Sequence, residues 1–447
     1  MIFSKNELSE IFNREISINI DGICINSKEV KAGDLFVALS GQRTDGHNFI
    51  LEALNNGAVL AISEKDTGPQ IIKVESSHEA LLKLAKCNIE KSSAKYIGVT
   101  GSVGKTTTKN LIFHILSSQL KSCVYSNKKN FNSQIGLPMC AAEMPRNTKI
   151  GIFEMGMSNF GDIKKLIEII PPSISVISQI CETHLEFFDS VWDIAKAKSE
   201  IFEIPQEAAI IPADSAYADF FKQKAKDNCI KSIFTFGLPN SDARIIKYDF
   251  INDGFKVAAE ILGEKIEYEM NSPLIVNSLP ALLASHIASE ISLQKLANSI
   301  SSFKIPAGRG QAVLLKNKDM ILIDDAYNGC PTSVKASIRS LGRYKNRRKI
   351  VVLGDLLELG KDAKQYHENI SPTIDKFGID SVFTCGPLSK SLFDNLRDCK
   401  KRAWCENSEE LCEKVLEEIR SGDCILVKGS RSMKMDYIVD AIKNLDN

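Results

Sequence analysis

The chain has 447 residues, more than one hydrophobic core usually organises, so two or three domains are expected. Its composition, 44% hydrophobic and 25% charged, is that of an ordinary globular protein, and 56 basic residues balance 56 acidic ones. That balance excludes a general pull toward nucleic acid or an anionic membrane, and no stretch nears the ~18 apolar residues of a spanning helix; a cytoplasmic monomer with no nucleic-acid or membrane partner is expected.

Residues 1–92 read as a small α/β module. A short helix opens it, and Ile16–Ile25 alternates like a strand. Lys31–Asp34 reads as a turn and Leu35–Leu39 as a strand. Gly41–His47 is a polar loop that offers Arg43, Thr44, Asp45 and His47 to a ligand, or simply to water. Phe49–Leu54 reads as a helix stopped at Gly57, Ala58–Ser63 and Ile71–Val74 as strands, and Ala80–Asn88 as a helix.

Residues 93–304 are built around KYIGVTGSVGKTTTKN, Lys95 to Asn110. Strand, Gly-rich turn, Gly-Lys-Thr and helix is the layout of a phosphate-binding loop. Gly101, Ser102, Val103 and Gly104 wrap the backbone so that its N–H groups can face phosphate oxygens, and the helix N-terminus adds partial positive charge. Lys105 can reach the β- and γ-phosphates of a nucleotide, and the Thr106 hydroxyl, with Thr107 beside it, is placed for Mg²⁺. The usual first glycine of such a loop is Val99 here, so the pattern is T-G-x-x-G-K-T-T, the mark of a sub-family. Strands Ile150–Glu154, Ile174–Ile180 and Ala208–Ile211 alternate with helices Asp162–Ile170 and Val191–Phe202, which predicts a mostly parallel sheet covered on both faces. Ligands of such sheets lie beyond the strands' carboxyl ends. The phosphate loop, Glu154 and His184 each follow a strand, so one edge gathers them. Glu154 suits Mg²⁺ there, and His184 a metal or phosphate role. Phe234–Phe236, Ala243–Tyr248 and Phe255–Ile261 suggest a strand-rich insertion, and Leu279–Ile291 a helix.

Residues 305–447 alternate again. Strands are expected at Met320–Asp325, Lys349–Leu353, Ser381–Thr384 and Cys424–Val427. Helices are expected at Thr332–Leu341, Lys361–Phe377 (broken near Pro372), Glu409–Ile419 and Met433–Leu445. Polar clusters DDAYNGCP, GDLLELG and KGSR follow three of the strands and argue for a second working edge. The 12 cysteines contain no C-x-x-C pair and several lie in apolar runs, so buried reduced thiols are expected.

TGSVGKTT, EMG, His184 after an apolar strand, KAKSEIF, GRGQ, DDAYN and KGSR together resemble the Mur ligases across nearly the whole chain. GDLFVALSGQRTDGHNFI, DDAYNGCPTSVKASI, GDLLELG with His367, and KGSRSMKMD resemble most the branch that adds D-Ala-D-Ala to UDP-N-acetylmuramoyl-tripeptide. The resemblance implies three α/β domains: a small N-terminal one (1–92) for the nucleotide sugar, a central parallel-sheet one (93–304) of phosphate-loop type for ATP, and a Rossmann-like C-terminal one (305–447) for the incoming amine and part of the ATP site. It implies ATP and Mg²⁺, and an acyl phosphate made on the peptide carboxylate and attacked by the amine. An amine cannot expel a carboxylate oxygen at neutral pH, so activation is required, and Lys105 and Mg²⁺ would offset the charge of the anionic substrates.

By the same resemblance, Thr106, Glu154, His184 and Lys198 serve metal sites, Lys198 as a carbamate, since an unmodified ammonium cannot ligate. Asn277 lies near the adenine, Arg309 on a phosphate, and Asp325 and Asn328 near the nucleotide. Lys428 and Arg431 face the amine or acyl phosphate. Ser27, Thr44, Asp45 and His47 contact the nucleotide sugar, and Asn132 is a further substrate-binding residue. The chain departs from the family's common pattern at Asn26-Ser27-Lys28, at Ser133-Gln134 and at Cys330, where an asparagine is usual. A tripeptide-synthesising Mur ligase, a folylpolyglutamate-synthetase-like ligase and a non-catalytic nucleotide switch remain as alternatives. Asn127-Lys128-Lys129-Asn130 lacks the aspartate of a guanine-reading motif.

Overall fold

The structure, a computed structural model, describes residues 1–446 apart from 42–43, 66, 129–130, 252–253 and 271–274. Arg43, one of the loop groups expected to meet a ligand, lies outside the described residues, as do Lys129 and Asn130.

Three sheets follow one another along the chain. The first is a four-stranded parallel sheet of β1 (Gly22–Cys24), β2 (Asp34–Val37), β3 (Leu60–Ser63) and β4 (Ile71–Lys73), in that order. The expected strand over Ile16–Ile25 shrinks to β1. Burial there does not follow a strand's period, since Ile16 and Ile20 are buried while Ile18, on the same strand face, is exposed; among the described residues no strand lies alongside and a single bridge joins Ile20 to Phe3.

The central sheet has nine strands: β5 (Lys95–Thr100), β6 (Val124–Ser126), β7 (Ile150–Glu154), β8 (Ile174–Ile177), β9 (Ala208–Pro212), β10 (Ser232–Phe236), β11 (Ala243–Ile251), β12 (Gly254–Ile261) and β13 (Glu264–Met270). Their order is β13-β12-β11-β10-β9-β8-β5-β7-β6. From β10 to β6 all neighbours are parallel, and every residue of β7, β8 and β9 is buried, as helices on both faces require. The strand-rich segment is no separate insertion. β11–β13 form an antiparallel meander that extends the same sheet from the Phe236–Ala243 pairing. β5 lies between β8 and β7, so the phosphate loop, the end of β7 and the segment after β8 emerge side by side, as the alternation predicted.

The third sheet contains β14 (Gln311–Leu315), β15 (Met320–Asp325), β16 (Arg348–Gly354), β17 (Ser381–Cys385), β18 (Lys401–Cys405) and β19 (Asp423–Lys428), in the order β14-β15-β19-β16-β17-β18. Only β14 is antiparallel. The three expected polar clusters follow β15, β19 and β16, three adjacent strands. The long helix expected over Lys361–Phe377 is two helices, Ala363–Glu368 and Ser371–Lys376, parted just before Pro372, whose ring cannot continue a helix.

One apolar core joins the first module to the central sheet: Leu81, Leu84 and Ile89 of the helix Ser77–Glu90 share it with Leu137, Phe153 and Ile163. Asn88, fully buried on that helix, donates to the carbonyls of Ala141, Ala142 and Met144 at 2.8, 3.1 and 2.9 Å, closing the end of the helix Gly136–Ala142. The third sheet has two cores of its own.

Candidate active site

Thr100 ends β5, and the next residues turn with backbone angles that favour glycine. Gly101 has φ +143° and Gly104 φ +86°. A Cβ on Gly101 would lie 2.0 Å from Ser178 Oγ, and one on Gly104 2.8 Å from Asn277 Nδ2. Ser178 donates to the carbonyls of Val103 (2.6 Å) and Thr100 (3.1 Å), Ser102 N–H donates to Gln179 O (2.6 Å), and Asn277 donates to Thr108 Oγ1 (3.2 Å). The loop is thus held from two sides. Among the described residues no side chain caps the helix Lys105–Leu120, whose N-cap is Gly104. Its first N–H groups are left for an anion, and the glycines let the backbone come close to it. The Lys105 ammonium folds back on the carbonyls of Gly101 (2.8 Å) and Ser102 (3.1 Å). Burial pushes its pKa down, the Glu154 charge opposes this, and Arg309 adds to it. The Thr106 side chain is half-buried and makes no hydrogen bond among the described residues. Val103 and Thr107 complete the turn and first helical step, Thr107 buried.

Glu154, the last residue of β7, is buried. Asn132 Nδ2 donates to its Oε1 at 2.7 Å, and its backbone N–H donates to Asn127 Oδ1 at 2.9 Å. Its Oε2 has no partner among the described residues. A buried carboxylate oxygen left bare costs about 1–3 kcal/mol or more, so an unfilled need for a cation is built in here. Behind it, Lys109 donates to Asn127 O at 2.8 Å. Lys198, on the helix Val191–Ser199, is 1% exposed, and its amine has no hydrogen bond or ion pair among the described residues. Burial first, then the Lys105 charge, push its pKa well below the ordinary lysine value. A buried lysine amine with a depressed pKa, within reach of the Glu154 charge, and a bare Glu154 oxygen form a set that a cation and an anionic lysine derivative would complete. Glu154, Thr106 and a modified Lys198 would offer oxygen donors, which Mg²⁺ prefers, and His184 would add one nitrogen.

His184 follows β8 in a left-handed conformation (φ +59°), and its Nδ1 meets Glu358 Oε2 of the third sheet's edge at 2.6 Å. That pairing leaves Nε2 as its open atom. Glu358 also has φ +60°, and its carbonyl accepts from Glu186 N–H at 3.3 Å. Thr332 donates to Glu182 at 2.7 Å, and Cys181 Sγ lies 3.1 Å from Cys330 Sγ. The two sheet edges therefore face each other.

On the third edge, Gly308 (φ +75°) and Gly310 (φ +85°) bracket Arg309, whose guanidinium sits 3.7 Å over the Tyr327 ring. Arg431 lies 5.6 Å from the same ring and pairs with Asp436 at 3.2 Å. Asp325 and Lys428 end adjacent strands and pair at 2.7 Å, and Lys428 also donates to Asn328 O at 2.9 Å. Ser337 donates to Asp325 at 2.7 Å. Asn328 itself is exposed. His367, fully buried, accepts from Leu356 N–H and donates to Ala363 O, and so braces the GDLLELG segment.

In the first module, Ser27 donates to Glu52 at 3.1 Å, and Thr44 is exposed. Asp45 accepts from His47 N–H and Nδ1 and from Lys65, and these bonds hold its carboxyl far below the usual range. His47 Nε2 accepts from Glu64 N–H, so both its ring nitrogens are spent on the loop. Asn132, expected at a substrate, is spent on Glu154.

The structure thus groups Lys105, Thr106, Glu154 and Lys198 at the central edge and Arg309, Asp325, Asn328, Lys428 and Arg431 at the third, with His184 bridging. Sequence reasoning missed Ser178, Gln179, Asn127, Lys109, Tyr327 and Glu358. Their signal was position: each sits in, or directly behind, a segment that follows a strand of a working edge.

Comparison with known proteins resolves the family. A UDP-N-acetylmuramoyl-tripeptide–D-alanyl-D-alanine ligase of Rickettsia prowazekii is 34% identical, the match covering 98% of this chain and 99% of that protein. This chain belongs to the Mur ligase family. Family descriptions match throughout: the Mur ligase catalytic domain over residues 19–93, the Mur ligase middle domain over 99–281, and the Mur ligase glutamate ligase domain over 308–431. A Bacillus subtilis Mur ligase named for the same reaction is 31% identical over 94% of this chain and 92% of its own. The crystal structure of the MurF ligase of Thermotoga maritima in complex with ADP superposes with a TM-score of 0.81 at 28% identity, covering 95% of this chain and 97% of that one. No described helix of this Mur ligase is long and apolar enough to cross a membrane.

Proposed function

We propose that this chain joins D-Ala-D-Ala to UDP-N-acetylmuramoyl-tripeptide, coupled to conversion of ATP to ADP and phosphate, in the cytoplasm and as a monomer. The carrying observation is the full-length match to ligases named for that reaction, over all three sheets. The site chemistry supports it. The domains divide the work: residues 1–92 hold the nucleotide sugar, 93–304 the ATP, and 305–447 the amine and part of the ATP site.

ATP phosphates lie in the turn Gly101–Gly104, met by backbone N–H groups and by Lys105, which swings off its two loop carbonyls onto phosphate oxygens. Arg309, raised on Tyr327 between two left-handed glycines, meets the phosphate from the other edge. The peptide carboxylate attacks the γ-phosphorus and becomes an acyl phosphate. ADP leaves. The D-Ala-D-Ala amine then adds to the acyl carbon, loses a proton, and phosphate departs. Lys428, held by Asp325 at the strand end, faces this carbon or the leaving phosphate and offsets the charge that develops. Thr106, Glu154, His184 Nε2 and carbamylated Lys198 would hold Mg²⁺, which when bound supplies charge neutralisation and alignment of the phosphates. Facing edges exclude water, which would otherwise hydrolyse the acyl phosphate.

The test is phosphate release from ATP with Mg²⁺, UDP-N-acetylmuramoyl-tripeptide and D-Ala-D-Ala, each omitted in turn. Release that requires both substrates, with a product heavier by the dipeptide, is the expected result. Turnover with a free amino acid or a folate in place of the dipeptide would reassign the chain within the amide ligases. ATP binding without turnover under any combination would favour a nucleotide switch.

A further inference from the structure

Two thiols meet where the central and third edges face each other. Cys181 follows β8, and its carbonyl accepts the Ser102 hydroxyl of the phosphate loop at 3.0 Å. Cys330 stands at the start of the helix Pro331–Leu341, where Ser333 N–H caps its sulfur. Both side chains are buried and their sulfurs are 3.1 Å apart. Among the described residues no other two cysteine thiols share a hydrogen bond. The pair belongs to two different sheets, so a bond between them would cross from one domain to the other.

The surroundings make the pair asymmetric. The Cys181 S–H, the Ser333 contacts and the Lys428 charge all favour a Cys330 thiolate and hold its pKa below the ordinary thiol value. Its position at a helix N-terminus acts in the same direction. Cys181, facing that sulfur and buried, is held well above. A low-pKa thiol beside a second thiol that can resolve it is the arrangement of a reversible redox site. Glu182 completes a group of metal-ligating types, its carboxylate and both sulfurs within 4.8 Å of one another. However, Thr332 occupies Glu182, and the charges of Lys105 and Lys428 reach the two sulfurs, which disfavours a divalent cation and favours thiolate chemistry.

We propose that Cys181 and Cys330 form a reversible disulfide that fastens the third domain to the phosphate-loop domain and halts turnover while it is in place. The oxidant class is a low-molecular-weight disulfide, RSSR. When the domains part, the Cys330 thiolate attacks one sulfur of RSSR. A Cys330–SR bond forms and RS⁻ leaves. On closure Cys181 Sγ attacks Cys330 Sγ, its proton passes to solvent, and the second RS⁻ leaves. Two protein thiols and RSSR become one protein disulfide and two RSH, so atoms and electrons balance. The linked state cannot open to exchange substrates and products. Only this last step rests on the ligase reading.

The experiment treats the full chain with glutathione disulfide, digests it without reduction, and maps linked peptides by mass spectrometry, with steady-state phosphate release measured on the same samples. A Cys181–Cys330 linked peptide is expected, with loss of most of the steady-state rate and its return on adding dithiothreitol. Cys181→Ala and Cys330→Ser are expected to turn over like wild type under reducing conditions and to keep their rate under oxidant. The wild-type peptide map needs no variant to fold and no ligase activity, so it decides the linkage separately from the reaction. Glutathione adducts on Cys330 that persist without linkage, or linkage of other cysteines only, would overturn the site. A fully linked protein that turns over at the reduced rate would overturn the lock.

Discussion

Lys198 carries its amine into the interior with no hydrogen bond or ion pair among the described residues, and the Glu154 and Glu200 charges offset its burial only in part. The sign of its effect on stability follows from its lowered pKa. The unfolded chain holds the proton up to pH about 10.5, while the folded chain sheds it well below that. Folding is therefore penalised at neutral pH, and the penalty fades as pH rises from the folded value toward 10.5. Lys198→Met keeps the length of the side chain and removes the charge. In carbon-dioxide-free buffer it should be more stable than wild type by about 1–3 kcal/mol at neutral pH, and the gain should vanish near pH 10.5. It should also lose ligase turnover, because methionine cannot become a carbamate. Thermal denaturation across pH reads the first effect. In ¹³C-bicarbonate, a carbamate resonance present in wild type and missing in Lys198→Met would establish the modification. Its absence in an active wild-type enzyme would discard it. Nothing in the periodicity of 191–202 marks this lysine as buried. Only likeness to the family singled it out, and its isolation is a tertiary fact.

At the scale of elements, the two working edges were readable because parallel strands buried on both faces leave near-continuous apolar runs, and polar residues that interrupt them fall at strand ends. Edge strands left weaker traces. β14 and β18 are half exposed, with sequences QAVLL and KRAWC, and β6 has only three residues. Sequence reading passed over all three. The braces Ser178 and Asn127 had only their position after a strand to mark them, since a loop residue has no period. The phosphate loop permits a direct comparison of two left-handed glycines. In Gly101→Ala the new methyl lands 2.0 Å from Ser178 Oγ, the hydroxyl that holds the loop's carbonyls. Gly161→Ala, at φ +82°, meets nothing within 4 Å. Gly161→Ala should cost about 1–2 kcal/mol of backbone strain and little activity, whereas Gly101→Ala should displace the loop and cut kcat/KM about a hundredfold. Equal effects of the two on ATP turnover would mean that the loop tolerates displacement and that its shape is not what binds phosphate. Between modules, Asn88→Ala strips the Ala142 and Met144 carbonyls of their side-chain donor, while Ala141 O keeps the Met144 N–H, and should destabilise the protein by about 2 kcal/mol. Denaturant unfolding followed by probes in both modules should show them still melting together, since the apolar core they share remains.

On the scale of the molecule, the welded pair of first and central modules leaves the third domain as the body able to move. It keeps its own cores and meets the central domain through contacts that include Glu182–Thr332, Cys181–Cys330, His184–Glu358, the Glu186–Glu358 backbone bond and Arg343 over the Tyr248 ring. Among these, His184–Glu358 joins a residue of the proposed metal site to the opposite edge. Its bond to His184 holds the Glu358 pKa below the ordinary glutamate value. The contact is therefore fully formed above the ordinary glutamate range and is lost as pH falls through that lowered pKa. Glu358→Ala removes it at any pH. The pair is partly exposed, so global stability should change little, but the closed arrangement should lose population. Small-angle scattering of Glu358→Ala without ligands at neutral pH should show a larger radius of gyration than wild type. Adding ATP and the nucleotide-sugar peptide should recover compaction, because in the proposed mode of binding the phosphates bridge Lys105 to Arg309. Wild type should expand in the same way on acidification, and the variant should not expand further over that range. Scattering curves for variant and wild type that superimpose in every state would show that this pair does not set the domain arrangement, and closure would then have to rest on the substrate bridge alone.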